Sequence, residues 1–99
     1  MRNKGKELRK IALELARFLK EKYIAKRIFL IGSVARGDVH KRSDIDIVVE
    51  GLPPELYIRA LTDVYDILPP GVELNLIPFE DAFKSLKKKT LEKGELIFG

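Results

Sequence analysis

Apolar and polar residues change their spacing several times along these 99 residues, and each change marks an expected element. From Lys4 to about Tyr23, Leu8, Ile11, Leu15, Phe18 and Leu19 recur at helical intervals with Ala12 and Ala16, while Arg9, Lys10, Glu14, Arg17 and Glu21 take the other side. This is an amphipathic packing helix; acidic residues interrupt its basic face, which argues against a membrane or nucleic-acid helix. Ile28 to Ile31 is a short β-branched and aromatic run that stops at Gly32-Ser33, the pattern of a buried strand ending in a turn. Ser33 to Gly37 can make a helical turn, and Asp38 to Arg42 a polar loop. From Ser43 to Glu50 the chain alternates and then turns apolar, which predicts a second strand.

Gly51-Leu52-Pro53-Pro54 ends that strand, and either proline can open a helix at its first turn. This helix runs to about Leu68 with Leu56, Ala60, Leu61, Val64 and Leu68 as its stripe, until Pro69-Pro70-Gly71 breaks it. Tyr57 and Tyr65 pack or lie at its margin. Val72 to Ile77 alternates again and predicts a third strand, parallel to the second because a helix connects them. Pro78 ends it. A last helix is expected from Glu80 to about Leu91, with Glu80 and Asp81 at its N-terminus and Ala82, Phe83, Leu86 and Leu91 packing inward. Lys84, Lys87, Lys88, Lys89 and Lys93 give it a solvated basic face, and Glu95 to Phe98 can add an edge strand. The sum is an α/β (α+β) fold with a mixed sheet of three or four strands and about three main helices.

The alternation also carries chemistry. Asp44 and Asp46 leave one face of the second strand, roughly 6 to 7 Å apart at Cα, where two carboxylates repel unless a cation lies between them. Hard oxygen ligands suit Mg²⁺ or Mn²⁺, and magnesium is commonly held by one or two carboxylates together with substrate phosphates, which implies a nucleoside triphosphate. If the first two strands are antiparallel neighbours, Gly32-Ser33 faces this pair. Glycine there lets backbone N–H groups approach phosphate oxygens, and a helical turn from Ser33 adds its dipole. Glu73 lies opposite the apolar set of the third strand, on the side expected to approach Asp44 and Asp46. Asn75 is a neutral alternative contact. Arg36, Lys41 and Arg42 are cations of the intervening loop, with Lys41 read as solvated charge. His40 has no partner identifiable from sequence and is read as a surface residue. Asp38 follows a turn, lacks the strand periodicity and stays outside the metal set.

Gly32-Ser33, ten residues from Val34 to Ser43, then Asp44-Ile45-Asp46 resembles the signature of the polymerase-β-like nucleotidyltransferases. Gly-Ser-Val-Ala-Arg-Gly-Asp with Ser-Asp-Ile-Asp is the form seen in their smallest members. The resemblance spans nearly the whole chain and implies one minimal nucleotidyltransferase domain over residues 1–99. It implies catalytic and metal-binding roles for Asp44, Asp46 and Glu73, with Glu73 where the family usually has Asp, and nucleotide binding by Gly32, Ser33, Arg36 and Arg42. It further implies transfer of AMP from ATP to an acceptor hydroxyl. Relatives of this architecture are commonly paired with HEPN-domain ribonucleases as toxin and antitoxin, and some add AMP to a tyrosine of that partner. The alternative from another class is a non-catalytic module that holds a nucleotide or covers a partner.

Composition narrows this further. The chain has no Cys, which excludes disulfides, thiolate zinc sites and cysteine nucleophiles, and its one His cannot supply a histidine-rich metal site. A net charge of +4 favours anionic partners such as nucleotides, with nucleic acid the less favoured one. No run approaches the ~20 apolar residues of a membrane span, and no signal peptide is seen, so a cytoplasmic protein is expected. Abundant Lys and Glu without Cys or Gln suggest a thermophilic source.

Overall fold

The computed structural model describes residues 4–39 and 44–99. Its elements are α1 (Lys4–Tyr23), β1 (Arg27–Ile31), α2 (Gly32–Arg36), β2 (Ile45–Glu50), α3 (Tyr57–Ile67), β3 (Leu74–Pro78), α4 (Lys84–Lys93) and β4 (Glu95–Phe98), with 3₁₀ turns at Pro54–Leu56 and Phe79–Asp81. The sheet order is β3-β2-β1-β4, with β1 antiparallel to β2 and β4, and β2 parallel to β3. The mixed four-stranded sheet and the parallel β2–α3–β3 unit are those the alternation predicts.

Over β1, β2 and β3 one face of the sheet is apolar. Ile28 and Leu30 of β1, Ile45, Ile47 and Val49 of β2, and Leu74 and Leu76 of β3 pack with Leu8, Leu15 and Leu19 of α1 and Ala60 and Val64 of α3. Fully burying each large aliphatic side chain contributes about 1.5–3 kcal/mol, so this layer supplies most of the driving force. Ala12, Ala16 and Ala60 are fully buried and let the helices approach closely. Tyr57 and Tyr65 do more than pack: their hydroxyls donate to the carbonyls of Leu76 (2.8 Å) and Leu74 (2.9 Å), fastening α3 to the edge strand β3. The Arg9 guanidinium makes two hydrogen bonds to Glu95 and ties α1 to β4. Among the described residues no helix is long and apolar enough to cross a membrane.

The other face is only partly covered. Phe79 stacks on Phe29 with ring centroids 6.4 Å apart, and Lys87 lies over the Phe79 ring. That anchorage explains a departure from the expected last helix. Residues 79–81 form a separate 3₁₀ turn, Glu80 accepts the Gly51 N–H at 2.8 Å, and Ala82 and Phe83 are extended, so α4 starts at Lys84 with neither Glu80 nor Asp81 in its first turn. The inward set also differs. Phe83 is 85% exposed and Leu91 53%, whereas Thr90 is the fully buried residue of α4. β3 is later than expected as well, leaving Val72 and Glu73 ahead of it.

Candidate active site

The partly covered face carries the polar site, and β-pairing brings its parts together. Ile31, the last residue of β1, is level with Asp46 of β2, so Gly32 arrives directly against that carboxylate. Gly32 has a φ of +76°, in the left-handed region, and a Cβ added there would collide with Asp46 Oδ2. Only glycine satisfies both the backbone and the close approach. Ser33 follows within α2, which is capped by Gly37 (φ +83°), whose N–H donates to the Ser33 carbonyl at 2.9 Å.

Asp46 is half-buried between buried neighbours Ile45 and Ile47, as strand alternation requires. Its β3 neighbour is Asn75, whose Nδ2 donates to Asp46 Oδ1 at 2.7 Å. One oxygen of Asp46 is thus engaged by a neutral amide, and the other lies beside Gly32. Asp44, two residues earlier and also half-buried, continues the same alternation ahead of β2. Among the described residues, neither aspartate has an ion pair.

Glu73 is exposed and precedes β3; its carbonyl accepts the Ile45 N–H at 3.0 Å, while its side chain makes no hydrogen bond or ion pair among the described residues. Arg36 ends α2 and pairs with Asp38 at 3.2 Å, both exposed. Arg42, with His40 and Lys41, lies outside the described residues. No group of three His, Cys, Asp or Glu side chains among the described residues is placed to hold a metal ion. The donor set is therefore a carboxylate pair with a neutral neighbour. That chemistry fits a magnesium-type cation, whose remaining ligands come from water and substrate phosphates. The sequence reading named Asn75 without placing it; the parallel register that sets it level with Asp46 is a long-range fact.

Comparison with known proteins gives the family of the chain. The model of the nucleotidyltransferase domain family matches residues 12–97. The Methanocaldococcus jannaschii protein named "Putative protein adenylyltransferase MJ1379" is 34% identical over 97 residues, covering 93% of this chain and 94% of its own length. "Putative protein adenylyltransferase MJ0128" of the same organism is 35% identical over 96 residues, with the same coverage. A chain in the crystal structure of a toxin–antitoxin with AMP-PNP superposes with a TM-score of 0.72 at 23% identity, covering 88% of this chain and 73% of that one, and so shares the fold. The extent of the family match and the two relatives above 30% identity lead to one assignment: this chain belongs to the nucleotidyltransferase domain family.

Proposed function

We propose that the chain transfers AMP from ATP to a hydroxyl of a partner protein, a tyrosine of a HEPN-type toxin, and thereby acts as its antitoxin. The observation that carries the catalytic part is the setting of Asp46: held by Asn75, abutted by Gly32, two residues from Asp44, and faced by no cation among the described residues. The names of the relatives, protein adenylyltransferases, and of the structural neighbour, a toxin–antitoxin with AMP-PNP, support the nucleotide and the partner class.

In this reading Asp44 and Asp46 hold Mg²⁺ or Mn²⁺, which when bound supplies neutralisation of the triphosphate's charge. Gly32 and Ser33 let the phosphates lie close to the backbone, and Arg36 and Arg42 add countercharge. The acceptor oxygen forms a bond to the α-phosphorus as the bond to the bridging oxygen of the β-phosphate breaks. Pyrophosphate leaves with that electron pair, and the acceptor proton passes to Glu73 or to water. Glu73, expected from the sequence to join the metal set, is not grouped with Asp44 and Asp46, which leaves it the role of base. The domain works as one unit in the cytoplasm.

Intact-mass measurement and peptide mapping test this after incubation with ATP, Mg²⁺ and a candidate HEPN-type partner. The expected result is one adenylyl group added to a partner tyrosine, absent without metal. An unmodified partner, with ATP bound but not consumed, would instead identify a non-catalytic nucleotide-binding module.

A further inference from the structure

The register of β2 and β3 decides how many cations the two aspartates can hold. All 15 Asp and Glu residues of the chain lie among the described residues, so no carboxylate of the chain is left out of account. None of them joins Asp44 and Asp46: no group of three His, Cys, Asp or Glu side chains among the described residues is placed to share an ion. The residue level with Asp46 on β3 is Asn75, a neutral amide.

Asn75 does more than withhold a charge. Its Nδ2 donates to Asp46 Oδ1 at 2.7 Å, the short length of a bond to an ionised acceptor. The partner fixes the amide's orientation, because its oxygen turned towards a carboxylate would be repelled. An amide that binds a cation must present that oxygen, and here the nitrogen faces the site. Two cations acting on one phosphoryl group sit about 3.5–4 Å apart, and a carboxylate that joins them gives one oxygen to each. Asp46 has Oδ1 engaged by the amide, which leaves Oδ2, the oxygen against Gly32. Turning Asn75 aside for a second ion would break the bond to Oδ1 and bring no negative charge in return.

We infer that the site takes a single divalent cation, Mg²⁺ or Mn²⁺, on Asp44 and Asp46, and that Asn75 sets this number by leaving Asp46 one free oxygen. The inference rests on the nucleotidyl-transfer reading and adds the number of ions with which this chain carries it out. Asn75 is a positioning residue: it acts through Asp46.

The test counts manganese. The unmodified chain and Asn75→Asp are dialysed to equilibrium against Mn²⁺ and α,β-methylene-ATP, which cannot release pyrophosphate, and the ion and nucleotide retained per chain are measured. Electron paramagnetic resonance of the retained complex reports coupling between neighbouring ions. The unmodified chain is expected to retain one Mn²⁺ for each nucleotide, with an uncoupled spectrum. Asn75→Asp keeps the shape of an exposed side chain, replaces the amide donor with a third carboxylate and should retain two coupled ions. Melts followed by circular dichroism in Mn²⁺ verify its folding, and the count in the unmodified chain decides by itself if the variant does not fold. Two coupled ions in the unmodified chain overturn the inference, as does a single ion in folded Asn75→Asp, because Asn75 would then not set the number. A chain that retains no nucleotide overturns the nucleotidyl-transfer reading, and this inference with it.

Discussion

Asp46 and Glu50 sit four residues apart on β2, point to the same side of the sheet and have been treated oppositely by the fold. Glu50 is level with Arg27 of β1, which grips it through two hydrogen bonds of 2.6 and 2.9 Å. Those bonds hold its carboxyl below the ordinary range, outweighing the desolvation that pushes the other way. Asp46 receives a neutral amide from Asn75 and, among the described residues, no cation. Among the described residues, the strand contains one acid whose charge a cation compensates and one that no cation faces. The first is structural chemistry; the second is what the proposed metal site requires.

The strongest way to break this comparison is to remove both charges in turn. Asp46→Asn and Asp44→Asn are expected to abolish metal-dependent ATP binding. Changes to groups that merely support a metal ligand cost about 10–100-fold, so loss of a ligand should reach at least the top of that range. Calorimetry in the presence of Mg²⁺ measures it. Glu50→Gln should leave ATP binding intact while lowering the thermal midpoint. If Glu50→Gln weakened binding as Asp46→Asn does, the division of labour along β2 would be wrong.

The next effect sharpens the contrast through the backbone. Gly32 and Gly37 both have left-handed φ values, +76° and +83°, but nothing lies within 4 Å of a Cβ placed on Gly37, whereas one on Gly32 meets the Asp46 carboxylate. Alanine at either position costs backbone strain of about 1 kcal/mol or more. Only Gly32→Ala should also displace Asp46 and suppress nucleotide binding. Paired melting and binding curves separate the two losses; equal binding by both folded variants would remove Gly32 from the site.

How much of this was readable beforehand follows from the range of each signal. The apolar runs of β1 and β2, the stripes of α1 and α3 and the Asp44–Asp46 alternation are local patterns, and they placed the elements and the carboxylate pair. The neighbour of Asp46 is not local. Glu73 and Asn75 alternate to the same face, and nothing in Val72 to Ile77 says which stands level with Asp46. The parallel register chooses Asn75. Likewise, the start of α4 is decided by Phe79 stacking on Phe29, fifty residues away in sequence, which no helical periodicity around Ala82 and Phe83 contains.

That register makes a smaller prediction about two neighbours on one face. Asn75→Ala frees Asp46 Oδ1 and should weaken metal-dependent ATP binding about tenfold, the low end for a group that orients a ligand. Glu73→Gln should keep ATP affinity and slow transfer if Glu73 accepts the acceptor proton. The two variants then fail in different assays. Full transfer by Glu73→Gln would make Glu73 a bystander.

The compensated acid makes its own prediction in pH. Because the folded Glu50 carboxyl titrates below its ordinary value of 4.5, its pairing stabilises the fold fully above that pH. The contribution is lost as pH falls through the lower folded value. Glu95, held down in the same way by Arg9, adds to the same slope. Melting curves between neutrality and about pH 3 should therefore fall on the acid side, and less steeply for Glu50→Gln. An unchanged slope in that variant would show that Arg27 does not set the acid limit.

Thr90 supplies the mildest test, because it asks whether a missing partner is by itself a mark of function. Its side chain is fully buried and, among the described residues, its Oγ1 has no hydrogen-bond partner. Unlike Asp46 it carries no charge, so the penalty is desolvation of a hydroxyl and not an uncompensated ion. Valine has nearly the same shape and no group to satisfy. Thr90→Val should therefore raise stability by about 1 kcal/mol, the low end for relieving a buried unpaired polar group, with ATP binding unchanged. Denaturant melts resolve a change of that size. A stabilised, fully active variant would show that Asp46 is marked by charge and by its place between Gly32 and Asn75, and not by want of a partner alone. Loss of ATP binding in a folded Thr90→Val protein would instead draw the hydroxyl into the site.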